Sequence, residues 1–181
     1  MELARKNNSR VLLVLALVFI APVVLAKLFL AMHWYQGGVT NKGQLLPDSM
    51  TYQSLKMKNP APHHWQVIYM MPDECTQKCQ QQLFVLNQSY LALGKDKNRV
   101  TPVVLHQQGT DALAMSQYKF TQAVASKMIA KQMDRQQMVV VDPLGKLVTC
   151  YDLMPSKHEQ VMQGRALLND LHKMLKLSRV G

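Results

Sequence analysis

Two cysteines, Cys75 and Cys79, stand four residues apart in the run Pro72-Asp73-Glu74-Cys75-Thr76-Gln77-Lys78-Cys79, the one close pairing among the chain's three cysteines. On a helix, residues at i and i+4 lie on adjacent turns with Cα atoms about 6 Å apart, a spacing a disulfide accepts. The same spacing lets both sulfurs face one soft metal ion, and thiolates select Cu(I) or Zn among the common metals. Three chemistries are therefore open: thiol-disulfide exchange, soft-metal binding, and a plain structural bridge in an oxidising compartment. Three cysteines are too few for a fold built on disulfides. Cys150 stands alone among apolar neighbours and reads as a buried free thiol.

The elements on either side decide what the pair can reach. Trp65-Gln66-Val67-Ile68-Tyr69-Met70-Met71 is short, β-branched and aromatic and stops at Pro72, which predicts a buried strand ending just before the thiols. From Gln80 to Leu93, Leu83, Phe84, Leu86, Tyr90, Leu91 and Leu93 recur near helical spacing, and Gly94 supplies a stop. The pair therefore sits between the carboxyl end of a strand and the start of a helix. There, unpaired amides and the helix dipole favour thiolate over thiol, while Asp73 and Glu74 oppose it. Open α/β sheets also tend to place function at this edge.

Further along, Val100 to His106 predicts a second strand, parallel to the first because a helix crosses between them. Tyr118 to Met133 reads as helical, with Phe120, Val124, Met128 and Ile129 to one side. Met138 to Val141 and Leu147 to Tyr151 form an antiparallel pair around the turn Asp142-Pro143-Leu144-Gly145. His158 to Leu177 closes the chain as an amphipathic helix whose predicted apolar stripe is Val161, Met162, Leu168, Leu171, Met174 and Leu175. The order β-α-β-α-β-β-α is that of an α/β thioredoxin-like mixed sheet.

This topology ranks the candidates for a third metal ligand. His106 ends the second strand at the same edge as Cys75 and is the best placed, a solvated strand-end histidine being its plain alternative. His63 and His64 begin the first strand, about 20 Å from the thiols at about 3.3 Å per residue. Met71 adjoins the motif and its thioether is soft enough for Cu(I), although most of the 13 methionines are placed as core filler.

The amino-terminal part predicts a membrane anchor. Residues 1–10 carry Arg5, Lys6 and Arg10 against Glu2, and residues 11–32 are apolar but for Lys27. That run is about 33 Å of helix, enough to cross a bilayer. The basic flank places the amino terminus in the cytoplasm and the remainder across the membrane, with His33, Trp34 and Tyr35 at the interface. Val24-Leu25-Ala26 also has the look of a signal-peptidase site, but the apolar run resumes at Leu28, which favours a retained anchor over a cleaved signal peptide. Residues 33–62, with Gly37, Gly38, Gly43, Pro60 and Pro62, read as a linker packed loosely on a domain at 63–181. Lys and Arg exceed Asp and Glu by 21 to 11. The excess is spread along the chain instead of being clustered with aromatics, which argues against nucleic acid and for a solvated surface able to face anionic lipid.

The anchor, the strand, CxxxC at its carboxyl end, the helix ending in Leu-Gly, and Val139-Val140-Val141-Asp142-Pro143-Leu144-Gly145 together resemble the Sco/SenC family of copper chaperones for cytochrome oxidase. They resemble still more the small membrane proteins that accompany bacterial cytochrome oxidase assembly genes. The resemblance spans roughly residues 40–177 and rests on Cys75, Cys79 and the Asp-Pro-Leu-Gly turn. It implies a thioredoxin-like fold and a periplasmic domain tethered to the bacterial inner membrane. It also implies a cytochrome oxidase subunit or assembly factor as partner, and copper binding or disulfide exchange at Cys75 and Cys79. The family's third copper ligand is a histidine eight residues before the aspartate of that turn; here the position is Asp134, followed by Arg135, Gln136 and Gln137. A copper site would then use Cys75 and Cys79 with His106, a methionine or a partner's group. Two other readings are a scaffold that keeps Cys75–Cys79 as a structural disulfide, and a membrane-anchored peroxidase, which has no feature beyond the fold to support it.

Overall fold

The computed structural model describes residues 2–31, 42–107, 114, 116–133 and 137–179. The chain divides into two compact units, Met1–Thr40 and Asn41–Gly181. The first holds helix α1 (Glu2–Ala31), with Pro22 inside it. Its stretch Arg10–Leu28 is long and apolar enough to cross a membrane. Val11, Leu15, Phe19 and Ile20 are each more than half exposed. His33, Trp34 and Tyr35 and the turn at 37–41 lie outside the described residues.

The second unit is built on a six-stranded sheet in the order β1-β6-β5-β2-β3-β4. Its strands are β1 (Gln44–Leu45), β2 (Trp65–Met70), β3 (Val100–His106), β4 (Thr121–Val124), β5 (Met138–Val141) and β6 (Leu147–Tyr151). Its helices are α2 (Gln77–Leu91), α3 (Lys127–Gln132) and α4 (Lys157–Leu177). β2 and β3 run parallel, as the crossover helix requires, with Met70 opposite Leu105. β5 lies antiparallel to both β2 and β6. All six residues of β2 are buried, because alternate side chains feed two cores. Val67, Tyr69, Val104 and Val140 pack with Leu83, Leu86, Leu167 and Leu171 of α2 and α4. Ile68, Met70, Val103, Leu105 and Val139 pack with Ile129 of α3. Burying each such side chain contributes about 1.5–3 kcal/mol.

The hairpin turn forms as the sequence predicts. Asp142 Oδ1 accepts from the amides of Leu144 and Lys146, both at 2.9 Å, and Gly145 takes φ +89°, a conformation that favours glycine.

Three sequence expectations are corrected. The stretch Tyr118–Met133 is not one helix: Thr121–Val124 is a strand pairing in parallel with Val103–His106, and only Lys127–Gln132 is helical. β4 completes the hydrogen bonds on β3's outer side, and Ser126 then starts α3 by accepting from the Ile129 amide at 3.1 Å. Because β4 meets β3 only from Val103 onward, Pro102 sits outside that ladder, where its missing N–H costs little.

The stretch read as a loose linker is part of the fold. Gln44 and Leu45 pair with β6, and Tyr52 and Leu55 are 3% and 4% exposed within the α3-side core. The backbone N–H groups of Lys42 and Gly43 donate to Asp170 Oδ2 of α4 at 2.7 and 3.1 Å. Tyr151 donates its hydroxyl to the same oxygen at 2.9 Å. Burial, with the Asp170 charge beside it, pushes the Tyr151 phenol up, so it donates as a neutral hydroxyl.

Leu168, Leu171, Met174 and Leu175 of the predicted stripe do lie against the core, and the correction concerns Val161, Met162 and the make-up of the fully buried face of α4. That face consists of Gln160, Gln163, Gly164, Leu167, Asp170, Leu171 and Leu175, while Val161 and Met162 are 37% and 47% exposed. Polar side chains turn inward because they have backbone partners there. Gln160 donates to Met154 O at 2.9 Å and Gln163 donates to Asp152 O.

Candidate functional site

The carboxyl end of β2 delivers the chain through Met71 and Pro72 to Cys75, and α2 begins two residues later. Cys75 and Cys79 form a disulfide with Cα atoms 5.2 Å apart. The two sulfurs have unequal settings. Cys79, in the first turn of α2, is fully buried against Leu83, Tyr69 and Met138, whereas Cys75 is only partly buried at the rim of that cluster. Of the two, Cys75 is the residue nearer to solvent. The start of α2 carries no acid in its first turn, and Thr76 makes no side-chain capping bond. The positive end of the helix dipole is thus left for a thiolate beside it.

Sequence topology correctly places His106 at the carboxyl edge of the sheet, in register with Val124. There it is half-buried, with Nδ1 3.3 Å from Gln107 O. The structure does not gather it with the cysteines into a ligand set: among the described residues no three His, Cys, Asp or Glu side chains are grouped to hold a metal ion. Met71 is 1% exposed and belongs to the core. His63 and His64 are exposed at the far end of β2, and Asp134 lies outside the described residues.

Cys150 is the free cysteine, buried within the α3-side core. It is the buried free thiol that the sequence predicts, and burial first, then the Asp152 charge, pushes its thiol up.

One feature at the helix starts was not foreseen. A groove of about 230 Å³ lies between the amino-terminal turns of α2 and α4, lined by Gln77, Lys78, Gln81, Pro155, Lys157 and Gln160. Glutamine and lysine at helix starts carry no signal of their own in sequence. Only the packing of α2 beside α4 brings them together.

Residues 65–178 match the family described as transmembrane-like, thioredoxin-like, C-terminal domain. No curated protein matches the sequence. Among solved structures, the chain is similar to the thioredoxin domain of a thiol-disulfide oxidoreductase from Bacteroides vulgatus, at 17% identity over 74% of this chain and 91% of that one, TM-score 0.46. It is similar to apo Sco1 from Thermus thermophilus, at 16% identity over 63% and 81%, TM-score 0.48. It is also similar to peroxiredoxin Q from Xanthomonas campestris, at 14% identity over 64% and 82%, TM-score 0.46. These distant likenesses carry no argument about chemistry; the fold rests on the family match and on the sheet itself.

Proposed function

The chain belongs to the transmembrane-like, thioredoxin-like C-terminal domain family, and from that premise we propose that it is a membrane-tethered protein of thiol-disulfide exchange, working through Cys75 and Cys79. The observation that carries this reading is one disulfide between a partly buried and a fully buried cysteine, set at the start of a helix with no side-chain cap. In the oxidised protein, a substrate thiolate attacks Cys75 Sγ and the Cys75–Cys79 bond breaks, leaving Cys79 as the thiolate. A second substrate thiolate then attacks the mixed disulfide and releases Cys75. Two electrons and the protons of two substrate thiols pass to the pair, and the substrate leaves with a disulfide. Run backwards, the same steps reduce a substrate disulfide.

The finer reading is that this exchange serves cytochrome oxidase assembly, the partner being a cysteine-bearing oxidase subunit or assembly factor. Its support is the Sco/SenC resemblance of the CxxxC motif and the Asp142-Pro143-Leu144-Gly145 turn. The domain then stands in the bacterial periplasm on a single-pass inner-membrane anchor, its amino terminus cytoplasmic, as Arg5, Lys6 and Arg10 favour.

Copper is the second reading, favoured by the 5.2 Å Cα separation, which lets two thiolates face one Cu(I) after reduction. The donors do not fit the Cys-Cys-His site that the resemblance implies, since no histidine or carboxylate is grouped with the cysteines among the described residues. Exchange is therefore preferred.

Trapping separates the readings. Cys79→Ser, leaving Cys75 as the lone thiol of the motif, should accumulate a mixed disulfide with a cysteine peptide activated as its disulfide; Cys75→Ser should not. A reduction potential well below about −300 mV with no trapped species overturns exchange in favour of a structural bridge in a scaffold. Cu(I) binding by the reduced protein, lost in Cys75→Ser with Cys79→Ser and weakened in His106→Ala, would instead establish the copper reading.

A further inference from the structure

On one side the sheet ends at β4, which has no strand on its outer edge among the described residues. Its register with β3, and the bond from the Ala125 amide to His106 O at 2.9 Å, fix which backbone groups are left over. Alternate residues of a parallel strand bond to a given neighbour. Thr121 and Ala123 therefore bond to β3, and the N–H and C=O of Gln122 and Val124 point away from it. The Val124 side chain is 62% exposed beside them. Proteins commonly blunt such edges by keeping them very short or covered. β1, at the opposite end of the sheet, is two residues long, whereas β4 presents four. A groove of about 310 Å³ is lined by all four residues of β4 and by residues 57–60.

Charge specifies the occupant. Lys119 and Lys127 bracket the strand, Lys58 lines the groove, and all three are exposed. Neither the stretch 119–127 nor the groove lining contains an acid. A second copy of β4 is a poor fit. An antiparallel pair that matched the outward groups of Gln122 with those of Val124 would set Lys119 of each copy against Lys127 of the other, and like charges placed opposite destabilise a strand pair. The same lysines complement acids at both ends of a foreign strand.

We propose that the outer edge of β4 docks an extended segment of a partner protein, a short β-branched stretch flanked by acidic residues, which joins the six-stranded sheet as a further strand. The backbone of Gln122 and Val124 supplies the hydrogen bonds, and the lysines supply the selectivity. The surface is separate from Cys75 and Cys79, so the proposal stands whether that pair exchanges disulfides, binds copper or only staples the domain.

The test uses the full chain in detergent with a fluorescein-labelled peptide, Asp-Asp-Val-Thr-Val-Thr-Asp-Asp, its binding read by anisotropy and by amide hydrogen exchange. In the free protein the amides of Gln122 and Val124 should exchange about tenfold or more faster than that of Ala123, and the peptide should slow both. Val124→Pro removes one outward N–H without touching the ladder to β3 and should weaken binding about tenfold. Lys119→Gln with Lys127→Gln should weaken it about fivefold at low salt and less in about 0.5 M salt. The peptide with its four central amides N-methylated, and the peptide with Lys in place of Asp, should each bind about tenfold more weakly or worse. Equal binding of the N-methylated peptide, or unchanged exchange at Gln122 and Val124, overturns docking by strand addition. Equal binding of the Lys peptide overturns the acidic partner. A dimer of the chain that protects those two amides overturns the proposal in favour of a second copy. No binding of the parent peptide also overturns it and makes the lysines a guard against edge pairing.

Discussion

Reducing Cys75–Cys79 should loosen the domain only slightly, and the size of the effect separates a working disulfide from a structural one. The cysteines are 4 apart in sequence, so the closed loop holds five residues counting both ends. The chain-entropy relation for a loop that short gives about 2 kcal/mol, against about 4.7 kcal/mol for a loop of 100 residues. Reduction leaves no cavity, because Cys79 stays packed against Leu83 and Tyr69. A single domain typically holds 5–15 kcal/mol, so the reduced form remains folded, as a protein that cycles between two redox states must. With an urea dependence of about 2 kcal/mol per molar, the midpoint should fall by about 1 M. Urea titrations of the oxidised and reduced full chain, followed by Trp65 fluorescence in a Trp34→Phe background, measure this directly. A loss of 4 kcal/mol or more, or disappearance of the cooperative transition on reduction, would refute the reasoning and make the bridge a staple.

Three further outcomes follow from the packing. Gly164→Ala places a Cβ 2.6 Å from Val85 Cγ1, where α2 and α4 touch; overpacking should cost about 1–3 kcal/mol despite alanine's better helix propensity, and Val85→Ala should recover part of it in chemical denaturation. Asp170→Asn removes a buried charged acceptor from the Lys42 and Gly43 amides and the Tyr151 hydroxyl, for a loss of about 2–4 kcal/mol. Hydrogen exchange at the two amides should rise more than at the amides of β2, and an unchanged Lys42 amide would contradict the clamp. Cys150 concerns pH: its folded thiol is pushed up by burial, so the folded chain keeps this proton to higher pH than the unfolded chain does. Its contribution is complete below the ordinary thiol range and is lost as pH rises through the folded value; Cys150→Ala should flatten that alkaline slope of the denaturation midpoint.

Much of the fold is legible along the chain, and the pattern of success has a physical cause. β2, β3, β5 and β6 lie at or next to the sheet's centre, so both faces are buried and apolar residues run almost without a break. β4 escapes detection because it is an edge strand with alternating burial, and Thr121-Gln122-Ala123-Val124 is too short for period two to outweigh the helix signal around it. β1 is two residues long and exists only because β6 offers it a hydrogen-bonding edge and Asp170 holds its approach. The α4 stripe is right at Leu168, Leu171, Met174 and Leu175 and fails at Val161 and Met162 for a related reason: Gln160, Gln163 and Asp170 count as polar in sequence, yet each has a partner inside.

For the site, local sequence was enough to determine that two thiols sit at the carboxyl end of a buried strand and the start of a helix. Strand pattern, proline stop and helical spacing are all short-range properties. What only the tertiary structure decided is their inequality and their surroundings. Cys79 is fully buried because its face of α2 meets the sheet, while Cys75, in the loop before α2, is only partly buried. His106 reaches the right edge without joining a ligand set, and Lys78 and Lys157, far apart in sequence, line one groove. Those are consequences of packing between distant segments, which no local pattern encodes.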